Sequence, residues 1–423
     1  MKKFLSTALA LTMLLLTACG NNAGNSADST DPNASTTSNA SIYEDLSGFK
    51  NSDVLVTIDG NEVPASVYLY WSLSLASNME YQVQMYNTYY GMYGDMLNAD
   101  GTLKWDAEFR EGVTAEEYVR DYIEETIIRL AAVENMAKEY GIALTEADQA
   151  EIVEYKQSIA DGYKEQLQSE GKDVEGKSAE EIIDMYLAYL GIDRSTFDRL
   201  TASPYLFSGL SDAITTEGSP LYLSNEDYDA YGFYADHILL ATMDTETYTE
   251  YEPAVAAEQL ALAENILAQL RESSDPIALF AQLADEYSED PGRATNPTGY
   301  IFTSGQMVAE FEATTAELKP GEISDIVKSN YGYHIILRRD LSEGLAAYPE
   351  QKAALVELYL DELVTAKMDA AEVVYADGLS SFSFVDFYNA YNNRLRQEAM
   401  SDSILNSDNN DTTSQNASSS TSK

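Results

Sequence analysis

At 423 residues the chain exceeds what one hydrophobic core supports, so two or three domains are expected, and 45% apolar with 11% aromatic residues is the composition of a folded protein. The 71 acidic against 25 basic residues give a net charge of −46, which excludes nucleic-acid binding and electrostatic docking on anionic lipid, since both need a Lys/Arg surface. A single cysteine, Cys19, excludes a disulfide framework and a Cys-based zinc site, and two histidines, His237 and His334, leave little room for a His-rich metal site or a Ser-His-Asp hydrolase; no cofactor or metal is expected.

Lys2 and Lys3 precede an apolar stretch, Phe4 to Leu16, of signal-peptide length and too short for a stable span. It ends in Leu16-Thr17-Ala18-Cys19, which resembles the lipobox of bacterial lipoproteins. That resemblance implies a signal over 1–18, cleavage before Cys19, and a diacylglyceryl group on its sulfur that holds the protein on the outer side of the bacterial cell membrane. Asn21 to Ser41 is almost wholly Asn, Ser, Thr, Ala, Asp and Gly, so a disordered tether is expected over 19–50 and a second disordered segment over 399–423.

In the body, Asp53 to Val63 reads as a hairpin turning at Asp59-Gly60, and Pro64 opens a helix. From Ala65 to about Leu97 the chain is rich in Tyr, Met and Leu, a long helix with a Tyr/Gly extension through Gly91 and Gly94, whose aromatic stripe is expected in the core. Thr114-Ala-Glu-Glu117 is a capping box, Thr145 and Ser178 start helices near 145–170 and 178–190, Gly141, Gly171 and Gly191 stop them, and Ser195 to about Ile214 is a further helix. A mainly helical module over 51–232 follows. From Ala235 the order becomes strand (236–240), helix (Pro253–Arg271), helix from Asp275-Pro276, strand (299–302), helix, and two strands (324–328 and 333–338). Pro349 to Val374 is helical again. The class is α+β, with a small antiparallel sheet among helices inserted in the helical module: the inserted domain at 233–341 and a returning helix at 342–398.

The segment 235–340 resembles a parvulin-type (PpiC) peptidyl-prolyl cis/trans isomerase domain. The blocks that carry it are His237-Ile238-Leu239-Leu240, Phe280-Ala281-Gln282-Leu283-Ala284, Tyr287-Ser288-Glu289-Asp290, Gly305-Gln306-Met307-Val308 with Glu310-Phe311, Gly321-Glu322-Ile323-Ser324, and Tyr331-Gly332-Tyr333-His334-Ile335-Ile336. With the signal and the helical module, the layout resembles membrane-anchored foldases of the PrsA and SurA type. The resemblance implies His237, Asp290 and His334 as catalytic residues, the histidines facing each other and fixing each other's tautomer, and Met307, Phe311 and Phe302 as the proline-binding surface. It implies unfolded or partly folded secreted proteins with X-Pro bonds as partners, and admits a homodimer.

Other readings stay open on the residues alone. Two strand histidines can be a satisfied core network, Met307 and Phe311 can be plain core, and Asp290 before Pro291-Gly292 can be a turn residue. Asn296-Pro297-Thr298-Gly299-Tyr300, Val308 and Tyr331 depart from the family pattern, and the acidic loop 242–252 offers no basic pocket for a phosphoserine. The activity expected is prolyl isomerisation in folding secreted proteins; the alternative is a holdase with an inert parvulin domain. Mass spectrometry of the mature N-terminus is expected to find a diacylglyceryl-modified Cys19, and an unmodified thiol there would remove the anchor.

Overall fold

The computed structural model describes residues 41–244 and 247–397. The signal segment, Cys19, the polar stretch through residue 40 and the tail from 398 lie outside the described residues. The chain divides into two compact units, Met1–Gly209 with Val364–Lys423, and Leu210–Leu363.

In the first unit, α1 (Ile42–Ser47) is capped by the Ser41 hydroxyl, and Tyr43 is buried edge-on against Phe387 and Tyr391. A tether drawn to residue 50 is therefore too long: one buried tyrosine with two ring partners is enough to dock this turn of helix. β1 (Val54–Ile58) and β2 (Asn61–Pro64) form the expected hairpin, with Asp59 at φ 49° and Gly60 at φ 78°, the pair of positive φ values a two-residue type I′ turn demands. α2 (Ala65–Tyr90) stops at a left-handed Gly91. A small ribbon, β3 (Glu108–Arg110) with β4 (Val113–Thr114), leads into α3 (Ala115–Tyr140). α3, α4 (Glu146–Ser169) and α5 (Ala179–Leu190) each begin in a complete capping box, at Thr114, Thr145 and Ser178, where a side chain satisfies backbone N–H groups that the helix leaves free. α6 (Arg194–Thr215) follows.

The second unit contains β5 (Phe233–Ala241), α7 (Pro253–Glu272), α8 (Pro276–Tyr287), β6 (Tyr300–Phe302), α9 (Ala309–Glu317), β7 (Val327–Lys328), β8 (Gly332–Arg339) and α10 (Leu341–Ala347). The sheet is antiparallel in the order β6-β5-β8-β7. Period-two alternation divides its side chains: Ile238, Leu240, Ile335 and Leu337 pack with Ile266, Leu270 and Phe280 of α7 and α8, whereas Ala235 and Ile336 pack with Phe302 and Phe311 on the other side.

The units part at Leu210 and Leu363 rather than at 233 and 341, because flanking chain wraps β5. Gly344 of α10 lies so close to Tyr234 that a Cβ there would sit 2.7 Å from the ring, and Lys352 donates to Asn225 at 2.9 Å with its ammonium 4.9 Å from the Tyr228 ring centroid. The helix expected through Val374 also ends early. α11 (Lys352–Asp369) is followed by β9 (Val373–Tyr375), which pairs antiparallel with the open edge of β1; two successive valines favour the strand. The helical residues 384–397 then bring Phe384 and Tyr388 edge-on to Trp105.

Phe280 has no exposed surface and sits beneath the sheet. Truncating it to alanine removes a ring that the surrounding β-structure cannot collapse to fill, so Phe280→Ala is expected to lower the stability of this unit by about 3–5 kcal/mol, read from denaturant unfolding of the full chain.

Candidate active site

The site is built on the face of the sheet opposite α7 and α8. His237 lies opposite Ile336 and His334 opposite Leu239, so the two histidines are diagonal neighbours on one face. Their ring centroids are 5.4 Å apart. Phe311, carried by α9, stands edge-on to both, at 5.1 Å from His237 and 5.7 Å from His334, and Phe302 of β6 lies 5.9 Å behind it. Met307 packs on the same cluster from the turn before α9. Phe302 and Phe311 are 2% and 3% exposed, so they form a buried floor, while Met307 remains half-buried and within reach of a ligand.

The segment between α8 and β6 places the acid. The Glu289 N–H donates to the Leu239 carbonyl at 2.8 Å, the Ser288 hydroxyl accepts from the Leu239 N–H at 3.1 Å, and the Glu289 carboxyl accepts from the Ala241 N–H at 2.7 Å. Residues 288–289 are thus fastened along β5, and the next residue, Asp290, arrives beside His237. Its Oδ2 is 3.7 Å from His237 Nε2, an electrostatic contact beyond hydrogen-bond length, and accepts from the Tyr300 hydroxyl; its Oδ1 accepts from the Gly292 N–H at 3.1 Å. Arg293 closes the turn by bonding Asp236 at 2.8 Å and Asp285 at 2.7 Å.

Two glycines permit this approach. A Cβ on Gly292 would lie 2.1 Å from the Tyr300 hydroxyl, and one on Gly299, at φ 104°, would lie 2.3 Å from the Ala235 carbonyl oxygen. The stretch ending in Gly299-Tyr300, which departs from the family pattern, therefore keeps the backbone freedom that the site needs and adds a hydroxyl to Asp290.

The structure corrects the expected link between the histidines. No hydrogen bond joins them; His334 Nε2 bonds the Ser329 hydroxyl at 2.7 Å, and that hydroxyl also accepts from the Tyr331 N–H at 3.1 Å. Both Nδ1 atoms are buried without a partner in the protein. Rings packed on a sheet at this diagonal spacing present faces and edges to each other, not nitrogens, so the two imidazoles do not fix each other's tautomer. Ser329 and Tyr300 are the two site residues that sequence reading did not assign. Ser329 sits in a turn with no motif of its own, and Tyr300 gains its role only from pairing opposite Ala235, which stacks it on His237 at 5.9 Å.

Burial controls the chemistry. It pushes His237 below its ordinary pKa, opposed by the Asp290 carboxyl and reinforced by Arg293; it pushes His334 down to about 3, helped by His237. Burial first, and then the bond to Asp290, hold the Tyr300 hydroxyl in its protonated form.

With this geometry in place, comparison with known proteins is direct. Residues 237–340 match the family model described as Rotamase, PPIC-type PPIASE domain. They form a parvulin-type domain. Foldase protein PrsA of Geobacillus kaustophilus is 43% identical over 98 residues, which are 22% of this chain and 33% of that one. Foldase protein PrsA of Staphylococcus aureus is 31% identical over 178 residues, 41% of this chain and 50% of that one. The matches thus span a third to a half of those curated relatives. A solved structure of the peptidylprolyl isomerase PrsA from Bacillus cereus aligns at 19% identity over 69% of this chain and 99% of that one, with a TM-score of 0.27. That whole-chain superposition is loose, and the family of the parvulin domain rests on the sequence match.

Neutral imidazoles set the pH behaviour. Any catalysis at this site is expected to be flat between about pH 6 and 8, without an inflection near an ordinary histidine pKa of about 6.5. Folded-state values below 6.5 mean that the unfolded chain binds more protons in acid, so stability should fall as pH drops from 6.5 towards about 3, and His334→Gln should flatten that slope in pH-dependent unfolding.

Proposed function

We propose that the chain is a foldase that catalyses cis/trans isomerisation of X-Pro bonds in secreted proteins, held outside the bacterial membrane by lipid on Cys19. The observation that carries the reading is the convergence of His237, His334, Asp290 and Tyr300 over Phe311. No helix among the described residues is long and apolar enough to cross a membrane.

The chemistry needs no bond to break. The barrier to rotation about the peptide bond is ~18–20 kcal/mol and comes from amide resonance. A twisted imide is less dipolar than either planar form, so a surface that excludes water favours it over both. Met307, with Phe311 behind it, beds the proline ring. As conjugation is lost, the proline nitrogen regains a lone pair, and a protonated ring nitrogen can donate to it. When the Ser329 hydroxyl donates to His334 Nε2, the proton of that ring rests on Nδ1; when it accepts, the proton rests on Nε2. Asp290, bonded to Tyr300, places negative potential beside His237 and orients its ring. Both imidazoles act as neutral groups.

Exchange NMR or a protease-coupled assay on an Ala-Pro peptide, using the full chain, tests the proposal. Accelerated isomerisation is expected, with His237→Ala and Asp290→Ala each lowering kcat/KM by about 10–100-fold. Absence of acceleration, or variants equal to wild type, would leave a client-holding protein as the remaining reading.

A further inference from the structure

α2 changes character along its length. Through Val83 one face of it is buried, with Val67, Leu69, Leu73, Met79 and Val83 in the core and Tyr81 the one large apolar side chain exposed, but Tyr86, Tyr89, Tyr90, Met92 and Tyr93 are exposed, Tyr89 at 76% and Tyr90 at 69%. The distal half of the aromatic stripe is therefore surface, contrary to the core expected from sequence.

These rings are not scattered. Tyr90 lies 5.8 Å from Tyr86, Tyr86 6.3 Å from Tyr93, Tyr93 6.1 Å from Phe109, Phe109 4.8 Å from Tyr118, and Tyr118 6.4 Å from Tyr122. Tyr93 holds its place in this row at φ 63°, a conformation that costs a bulky residue energy. The row already receives one cation: the Arg110 guanidinium stands 4.5 Å from the Tyr118 centroid and 5.6 Å from that of Phe109. Exposed carboxylates flank it in the chain at Asp95, Glu108, Glu111 and Asp121.

The exposed end, Tyr86, Tyr90 and Tyr93 with Tyr89 beside them in the chain, thus continues into half-buried Phe109, Tyr118 and Tyr122, and an aromatic patch of this kind marks an interaction surface. Charge selects the occupant. A second copy would bring its own acidic row and a net charge of −46, and anionic lipid would be repelled likewise. We propose that the row is a docking surface for extended, lysine- and arginine-bearing segments of unfolded polypeptide. Tyrosine faces take their cations and apolar side chains, and the carboxylates steer them in. This deepens the foldase reading by naming the client segments that are held, yet it uses none of the residues of the isomerase site.

The test is fluorescence anisotropy of the full chain with two labelled, unstructured peptides of equal length and apolar content, one bearing Lys and Arg and the other Glu at the same positions. The cationic peptide is expected to bind, more weakly as salt rises. Replacing Tyr86, Tyr89 and Tyr90 by serine should lower its affinity about tenfold, with the melting temperature and the isomerisation of a short Ala-Pro peptide unchanged. Equal binding of the acidic peptide, or undiminished affinity in the triple variant, would overturn the inference. So would a dimer seen by sedimentation that the triple variant abolishes, since a second copy would then be the occupant. Peptide binding that depends on the row, in a chain that fails to isomerise the short peptide, would sink the isomerase reading and leave this one standing.

Discussion

The register between β5 and β8 is the constraint on which the site depends. It sets Leu239 against His334 and His237 against Ile336, so both imidazoles emerge on the side away from α7 and α8. A slip of β8 by one residue would turn His334 into the helix-facing core, away from His237, and bring Ile335 and Leu337 out in its place. Hydrophobic alternation prevents that slip. Ile238, Leu240, Ile335 and Leu337 are almost fully buried against the helices, and exchanging them for histidines would bury polar rings without partners. The same apolar pattern that folds the domain thereby aims its chemistry.

A second layer of organisation comes from backbone hydrogen bonds rather than packing. Ser288 and Glu289 bond the N–H groups of Leu239 and Ala241, and so occupy a strand edge that would otherwise be free. Because these residues precede Asp290 directly, satisfying the edge of β5 also delivers a carboxyl to His237. Gly292 and Gly299 then let the Tyr300 hydroxyl reach that carboxyl. Water is excluded from the rings by Phe311 and Phe302, and the imidazoles respond by remaining neutral.

Much of this was legible in the residues. The hairpin at Asp59-Gly60, the capping boxes at Thr114, Thr145 and Ser178, and the order of strands and helices after residue 235 are local signals, each written in a few neighbouring side chains. His237, Asp290, His334, Met307 and Phe311 were recognisable because they stand in ordered blocks. Ser329 and Tyr300 were not, since each acts across a strand or turn on a residue that local pattern does not connect to it. The aromatic stripe misled for a related reason. Tyr68 and Tyr89 belong to one helix and one residue type, yet one is buried and the other exposed.

By itself, then, the sequence determined the class of the fold, the strands that carry the histidines, and the large acidity of the chain, because period, capping and charge are properties of neighbours along the chain. Only the tertiary structure decided that His334 bonds Ser329 while His237 faces the Asp290 carboxylate without a hydrogen bond, that Tyr300 serves Asp290, that Val373–Tyr375 extends a sheet instead of a helix, and that the end of α2 lies bare. Those outcomes turn on which distant segment covers an open edge or face, and burial of this kind is settled by three-dimensional packing.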